Sequence, residues 1–264
     1  MPRKKGTVQQ QSFSSQSSDK LLQIMEFLAE QNEPLRLQDL SVAIGMPQPT
    51  VLRYMNTLVN QGYVYKNEQT LRYTLTWKIC RLSHQVILHT SLRDIANPFL
   101  RELSQTFQCS ACLVTQQDDE LLYLDIADSA AYAAGSLQRI GKKAPIHTTG
   151  SGKVLLAGMT DMQVERLAER RGLDSFTQNT ITQVPALLAE IGRVRQLGYA
   201  LDDEECEEGV RCVAAPLFDY TDRLVAAISV FGPLDNFTSQ TIEQDVVPAL
   251  TNAARQISAR MGHI

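Results

Sequence analysis

Residues 35–62 read LRLQDLSVAIGMPQPTVLRYMNTLVNQG, and the reading of the whole chain turns on this stretch. Its spacing predicts two short helices, 37–44 and 49–61, with Gly45 where the chain must bend between them. In the second helix Val51 or Leu52, Met55, Leu58 and Val59 recur at helical spacing as a buried stripe. That leaves Thr50, Arg53, Tyr54, Asn56, Thr57 and Asn60 pointing outward. An outward face with one Arg among Asn, Thr and Tyr, and no acid, suits the floor of a DNA major groove, where donors and acceptors must reach base edges. An ordinary helical hairpin with a polar, solvated face fits the same residues.

Just downstream, residues 63–65 begin a strand, residues 66–70 form a polar turn, and Leu71-Arg72-Tyr73-Thr74-Leu75 alternates as a half-buried strand does. Upstream, Asp19 can cap a helix whose Leu21, Ile24, Met25 and Leu28 face inward. Three helices followed by one hairpin make a winged helix-turn-helix over residues 19–75, which favours DNA binding over the plain hairpin. Lys66 near the tip and Arg72 on the polar face are placed to meet phosphates. Residues 1–18, Gln- and Ser-rich with a basic Arg3-Lys4-Lys5, are expected as a disordered arm.

Charge supports the division. Residues 1–75 hold eight Lys or Arg against six Asp or Glu, net +2, whereas the remainder holds 17 against 23, net −6. An acidic bulk joined to a mildly basic small domain fits a DNA reader with a separate sensing body. At 264 residues the length allows about two domains. No apolar run approaches the roughly 20 residues that span a bilayer, and the first residues lack the apolar core of a signal peptide, so a cytoplasmic location is expected. Five cysteines at irregular spacing (Cys80, Cys109, Cys112, Cys206 and Cys212) read as reduced, and the CxxC at Cys109 and Cys112 has no second pair to complete a metal site.

Residues 76–91 read as a linker helix with a broad apolar surface (Trp77, Ile79, Cys80, Leu82, Val86), suited to dimerisation. A helix over 92–107 carries Pro98 as its start or a kink. Strands are predicted at 109–116, 121–127, 131–139, 209–219 and 224–231, and helices at 151–159, 162–171, 185–197 and 239–261. Antiparallel strands with grouped helices predict an α+β sensor-type sheet rather than a doubly wound nucleotide fold. Gly150-Ser151-Gly152-Lys153 is no Walker A loop, since His147 and Val154 stand where Gly and Ser or Thr are required, nor a G-x-S-x-G elbow. A small-residue turn opening a helix still offers free N–H groups to a carboxylate. The acidic run over 202–208 reads mostly as a solvated loop, with one or two acids available to orient a ligand hydroxyl. No nucleophile or metal cluster accompanies these acids, so no catalytic, cofactor or metal site is assigned.

The chain resembles the IclR-type bacterial transcriptional regulators. The resemblance rests above all on residues 198–219: Gly198, then Asp202 and Glu205, then Gly209, Arg211-Cys212-Val213-Ala214 and Pro216-Leu217-Phe218-Asp219. Arg139-Ile140-Gly141, Pro145-Ile146-His147, Gly150-Ser151-Gly152-Lys153 and the TQNTIT run over 177–182 add to it. It implies an N-terminal winged helix-turn-helix, a linker helix that dimerises, and a C-terminal effector domain with a GAF-like antiparallel sheet over residues 92–264. It further implies dimers or dimers of dimers on operator DNA, repressing genes for the catabolism of small organic or sugar acids. The C-terminal half looks closest to regulators of ketodeoxy sugar acid use. Carried over by position, Gly150, Ser151, Asp202, Cys212 and Ser229 contact a small carboxylate effector, with Leu137 and Ile146 as apolar wall. Thr50, Arg53 and Asn56 would read bases, and Gln48, Tyr54, Lys66 and Arg72 would hold phosphates. Two positions depart from the family: Phe231 stands where a small hydroxyl residue is frequent, and Pro49 where Ser is usual. The competing reading is a small-molecule-binding or enzymatic α/β domain whose helical part serves assembly alone, without DNA binding.

Overall fold

The computed structural model describes residues 15–89, 91–129 and 140–263, in two compact units divided after His89. The strand expected over 131–139, with Leu137, lies outside the described residues, as does most of the N-terminal arm.

The first unit is built on three helices, α1 (Gln16–Ala29), α2 (Leu37–Ile44) and α3 (Gln48–Asn60). Helix α1 begins ahead of Asp19, so residues 16–18 belong to the helix and not to the arm. Gly45 ends α2 in the left-handed region, φ 69°, and the amide of Met46 reaches back to the Ser41 carbonyl at 3.1 Å. This glycine cap turns the chain into α3, where Pro49 occupies the first turn and costs no helical hydrogen bond. Gly62, φ 73°, closes α3, with Tyr63 N–H on the Leu58 carbonyl at 2.9 Å. The wing follows as β2 (Val64–Lys66) and β3 (Arg72–Leu75), its turn held by Asn67 Oδ1, which accepts from the amides of Gln69 and Thr70.

A two-residue strand, β1 (Leu35–Arg36), was not expected; it pairs with the far edge of β3, giving the order β1-β3-β2. Ile24, Leu40, Val51, Met55, Leu58 and Tyr73 fill the core. The register of α3 settles two positions: Val51 rather than Leu52 is buried, and Tyr54, expected on the outward face, is 6% exposed. The unit continues into α4 (Lys78–His89), which leaves Trp77, Leu82 and Val86 in solvent, Trp77 at 86% exposure.

The second unit centres on a six-stranded antiparallel sheet, order β6-β5-β4-β9-β8-β7. Its strands are β4 (Ser110–Gln117), β5 (Glu120–Asp128), β6 (Lys143–Ala144), β7 (Ala200–Asp203), β8 (Val210–Phe218) and β9 (Leu224–Pro233). Each central strand buries both faces, which is why the sequence there reads as continuous apolar runs rather than strict alternation. One face packs α5 (Leu92–Phe107) and α10 (Val247–Arg260) over Ala111, Leu113, Val213, Ile228 and Val230. The other packs α6 (Gly150–Ala157), α7 (Asp161–Arg171) and α8 (Val184–Leu197) over Cys112, Val114, Cys212, Ala214 and Phe231.

The predicted final helix is interrupted: a single turn, α9 (Ser239–Thr241), passes through a π-helical stretch (Ile242–Val246) into α10. β7 takes in Asp202 and Asp203, the start of the acidic run expected as loop, and its alternation sends Asp202 inward while Asp203 stays half-buried. Cys109 belongs to the core on one face of the sheet and Cys112 to the core on the other, so the CxxC spacing does not converge on a common site. Among the described residues no helix is long and apolar enough to cross a membrane.

Candidate functional site

In the first unit, α3 presents Gln48, Arg53, Asn56, Thr57 and Asn60 to solvent, with Thr50 half-buried. No acid interrupts this face. Tyr54 lies inward because the helix rotation that buries Val51, Met55 and Leu58 carries it onto the core side. Its hydroxyl emerges at the edge, 3.2 Å from Ser17 Oγ on α1 and 3.5 Å from the Arg53 guanidinium that donates to it. The Arg53 guanidinium carbon sits 5.2 Å from the Tyr54 ring centroid, a cation–π arrangement that leans the side chain back along the helix. Tyr54 is therefore a core residue whose ring and hydroxyl orient Arg53, and its expected outward placement is corrected. Lys66 pairs with Glu68 at 3.3 Å, and Arg72 donates to the Pro34 carbonyl at 2.8 Å.

In the second unit, the residues carried over from the resemblance meet where α6 begins, above β7, β8 and β9. Gly150 touches this surface closely: a Cβ there would lie 3.2 Å from the Cys212 carbonyl oxygen and 3.3 Å from its Sγ. Thr149 caps the helix, its Oγ1 accepting from Gly152 N–H at 3.0 Å. A Cβ on Gly152 would stand 1.9 Å from the Ile146 carbonyl oxygen, so the segment carrying Ile146 is seated against the helix by the absence of a side chain. Ser151 and Ile146 are buried in the same place. Asp202 is the Cα partner of Cys212 across β7–β8, and Ser229 that of Cys112 across β4–β9, with Cys112 Sγ and Ser229 Oγ 3.3 Å apart. Phe231, opposite Cys212 on β9, fills the space beside them.

One residue that the sequence reading set aside organises this site. Lys153, dismissed with the phosphate-loop reading, is fully buried at 0% exposure. Its Nζ donates to Glu205 Oε1 at 2.6 Å, to Glu190 Oε1 at 3.0 Å, and to the Leu201 carbonyl. Glu190 is also held by Arg193 at 3.3 Å. Asp202, 3% exposed, accepts through Oδ1 from the amides of Glu205 at 2.8 Å and Cys206 at 3.3 Å.

The linked groups thus comprise two cations, Lys153 and Arg193, and three carboxylates, Glu190, Glu205 and Asp202. One carboxylate is in excess. Burial, with the neighbouring Glu205 charge, pushes Asp202 up to about 7, against the pull of Lys153 and of the two amides. Asp202 is the acid of the cluster whose protonated form burial favours, and a proton there moves the cluster toward neutrality. Burial likewise holds the thiols of Cys112 at about 12, Cys206 at about 11 and Cys212 well above its ordinary value. These sulfurs stay neutral and serve as soft walls, not nucleophiles. The signal for Lys153 was present in the sequence: a lysine directly before Val154-Leu155-Leu156, in a helix turn whose neighbours are all apolar or small.

Comparison with known proteins follows the same division. The family model for the IclR helix-turn-helix domain matches residues 17–68, and that for the bacterial transcriptional regulator IclR C-terminal domain matches residues 84–259. The chain is 34% identical over 244 residues to the HTH-type transcriptional regulator KdgR of Escherichia coli (strain K12), covering 92% of each chain. It is 28% identical over 249 residues to the transcriptional repressor IclR of the same organism, covering 94% of this chain and 90% of that one. A crystal structure of a putative IclR transcriptional regulator from Silicibacter sp. superposes with a TM-score of 0.79 at 26% identity, over 95% of this chain and 97% of the other. The chain belongs to the IclR family of bacterial transcriptional regulators.

Proposed function

We propose that this regulator is a DNA-binding repressor of genes for the catabolism of a small organic or sugar acid, released or retained on its operator by a carboxylate effector. The observation that carries the DNA-binding half is the acid-free outer face of α3, with Arg53 and Asn56 exposed and Thr50 half-buried at the helix start. Thr50, Arg53 and Asn56 read base edges, while Gln48, Lys66 and Arg72 hold the backbone. The exposed Trp77, Leu82 and Val86 of the α4 region are covered by a second copy, so that two winged helices face one operator.

The effector half rests on the α6 N-terminus. The amides at the start of α6, together with Asp202, whose protonated form burial favours, the Cys212 thiol, the hydroxyls of Ser151 and Ser229, and the wall at Ile146, offer donors and packing to an anion. Being almost wholly buried, these residues admit a ligand only when their packing opens, and that requirement couples binding to conformation. The likeness to the transcriptional repressor IclR supports repression as the sign. The test is enrichment of genomic fragments on the purified protein, followed by gel shift with Arg53→Ala. Loss of specific binding with unchanged folding is expected, and unchanged affinity overturns the assignment.

A further inference from the structure

We propose that Arg36, on the short strand β1, is a backbone contact to DNA, at the rim of the cleft that joins the start of α3 to the wing. The inference rests on the DNA-binding reading and adds a site to it. Register places Arg36 directly across from Arg72, so the two side chains share one face of the three-stranded sheet. It is the outer face: Tyr73, which alternates with Arg72, is buried, and Tyr65, opposite Thr74 on the same side, is 57% exposed.

Like charges directly opposite one another destabilise a sheet. Neither arginine makes a side-chain ion pair among the described residues: Arg72 donates to the Pro34 carbonyl, and the nearby Asp39 carboxylate accepts from the backbone amide of Arg36 at 3.4 Å. Arg36 also borders a cleft of about 460 Å³ whose polar lining is Arg36, Gln38, Gln48, Lys66, Gln69 and Thr70, without a carboxylate. The cleft joins the first residue of α3 to the wing. A strand of phosphodiester laid along it from Gln48 to Lys66 passes Arg36, and its charge offsets the repulsion that Arg36 meets from Arg72 across the strand pair. β1 is what makes this possible, since pairing with β3 alone brings Arg36 beside the wing.

The experiment titrates fluorescence anisotropy of a mixed-sequence 30-base-pair duplex with the full-length protein from low to high salt, which reads phosphate contacts without knowledge of the operator. Each contact contributes about 0.9 to the slope of log affinity against log salt, which at 0.1 M salt is a factor of about eight. Arg36→Ala is expected to flatten the slope by about one, weaken binding roughly eightfold at 0.1 M salt, and leave the melting temperature unchanged or higher. Arg36→Lys restores most of the slope. An unchanged slope in Arg36→Ala, or a flattened one accompanied by a lower melting temperature, overturns the inference. A wild-type protein without salt-dependent affinity for any duplex overturns the DNA-binding reading itself.

Discussion

Replacing Asp202 with Asn isolates the titration of the effector site. In the unfolded chain this carboxyl has its ordinary value of 3.8, and in the folded protein burial raises it to about 7. Because the folded state holds the proton more tightly, stability is fully present below the unfolded value and is lost as pH rises through the folded one. The loss is about 1.4 kcal/mol per pH unit, or roughly 4 kcal/mol between about pH 4 and 7. Above that window both states are ionised and the curve flattens. The Asn amide keeps an acceptor for the amides of Glu205 and Cys206 but cannot ionise, so the variant lacks this slope.

Urea denaturation followed by far-UV circular dichroism, for wild type and Asp202→Asn at several pH values between 5 and 8, gives the difference directly. Wild type should lose roughly 2–3 kcal/mol relative to the variant between about pH 5 and 7 in the transition of the second unit. A difference curve that is flat, or that rises with pH, shows Asp202 to be ionised throughout and refutes the charge balance drawn for the cluster.

Other expectations follow from the same packing. Lys153→Met strands Glu205 without its cation and should cost about 3–5 kcal/mol in the second unit, read by urea midpoint, with part regained when Glu205→Leu is added. Gly152→Ala puts a methyl into the Ile146 carbonyl and should lower the melting temperature of the second unit by many degrees while leaving DNA binding by the first unit in place at low temperature. Ser229→Ala should weaken the response of DNA binding to small carboxylates several-fold without changing DNA affinity in their absence, since its hydroxyl meets a sulfur and supports no backbone. A response that survives intact places the effector elsewhere.

The stretch over 35–62 was legible because its signals are local: Gly45 can be left-handed, Pro49 can start a helix, and the apolar stripe names the buried side. Even so, the stripe left Tyr54 on the wrong side, since a ring with a hydroxyl at its tip serves a core and an edge at once. β1 is two residues long and shows no period of its own; only its pairing with β3 defines it. In the second unit, Gly150, Asp202, Cys212 and Ser229 were named through resemblance, whereas Glu190 and the binding of Lys153 to Glu205 depend on elements up to 52 residues apart. Composition also hid β7, because an acidic run reads as loop until one knows that a buried lysine waits beneath it.

Lys153 also limits how this regulator can be rebuilt. Chimeras that exchange sensing parts between relatives tend to be cut at loops, and the loops around α6 invite such a cut. Its lysine, however, is fastened to α8 through Glu190 and to the loop after β7 through Glu205. A graft of α6 alone would carry a cation into a host without matching acids, or leave two acids behind in the donor frame. The transplantable cassette is the helix with both of its anchors.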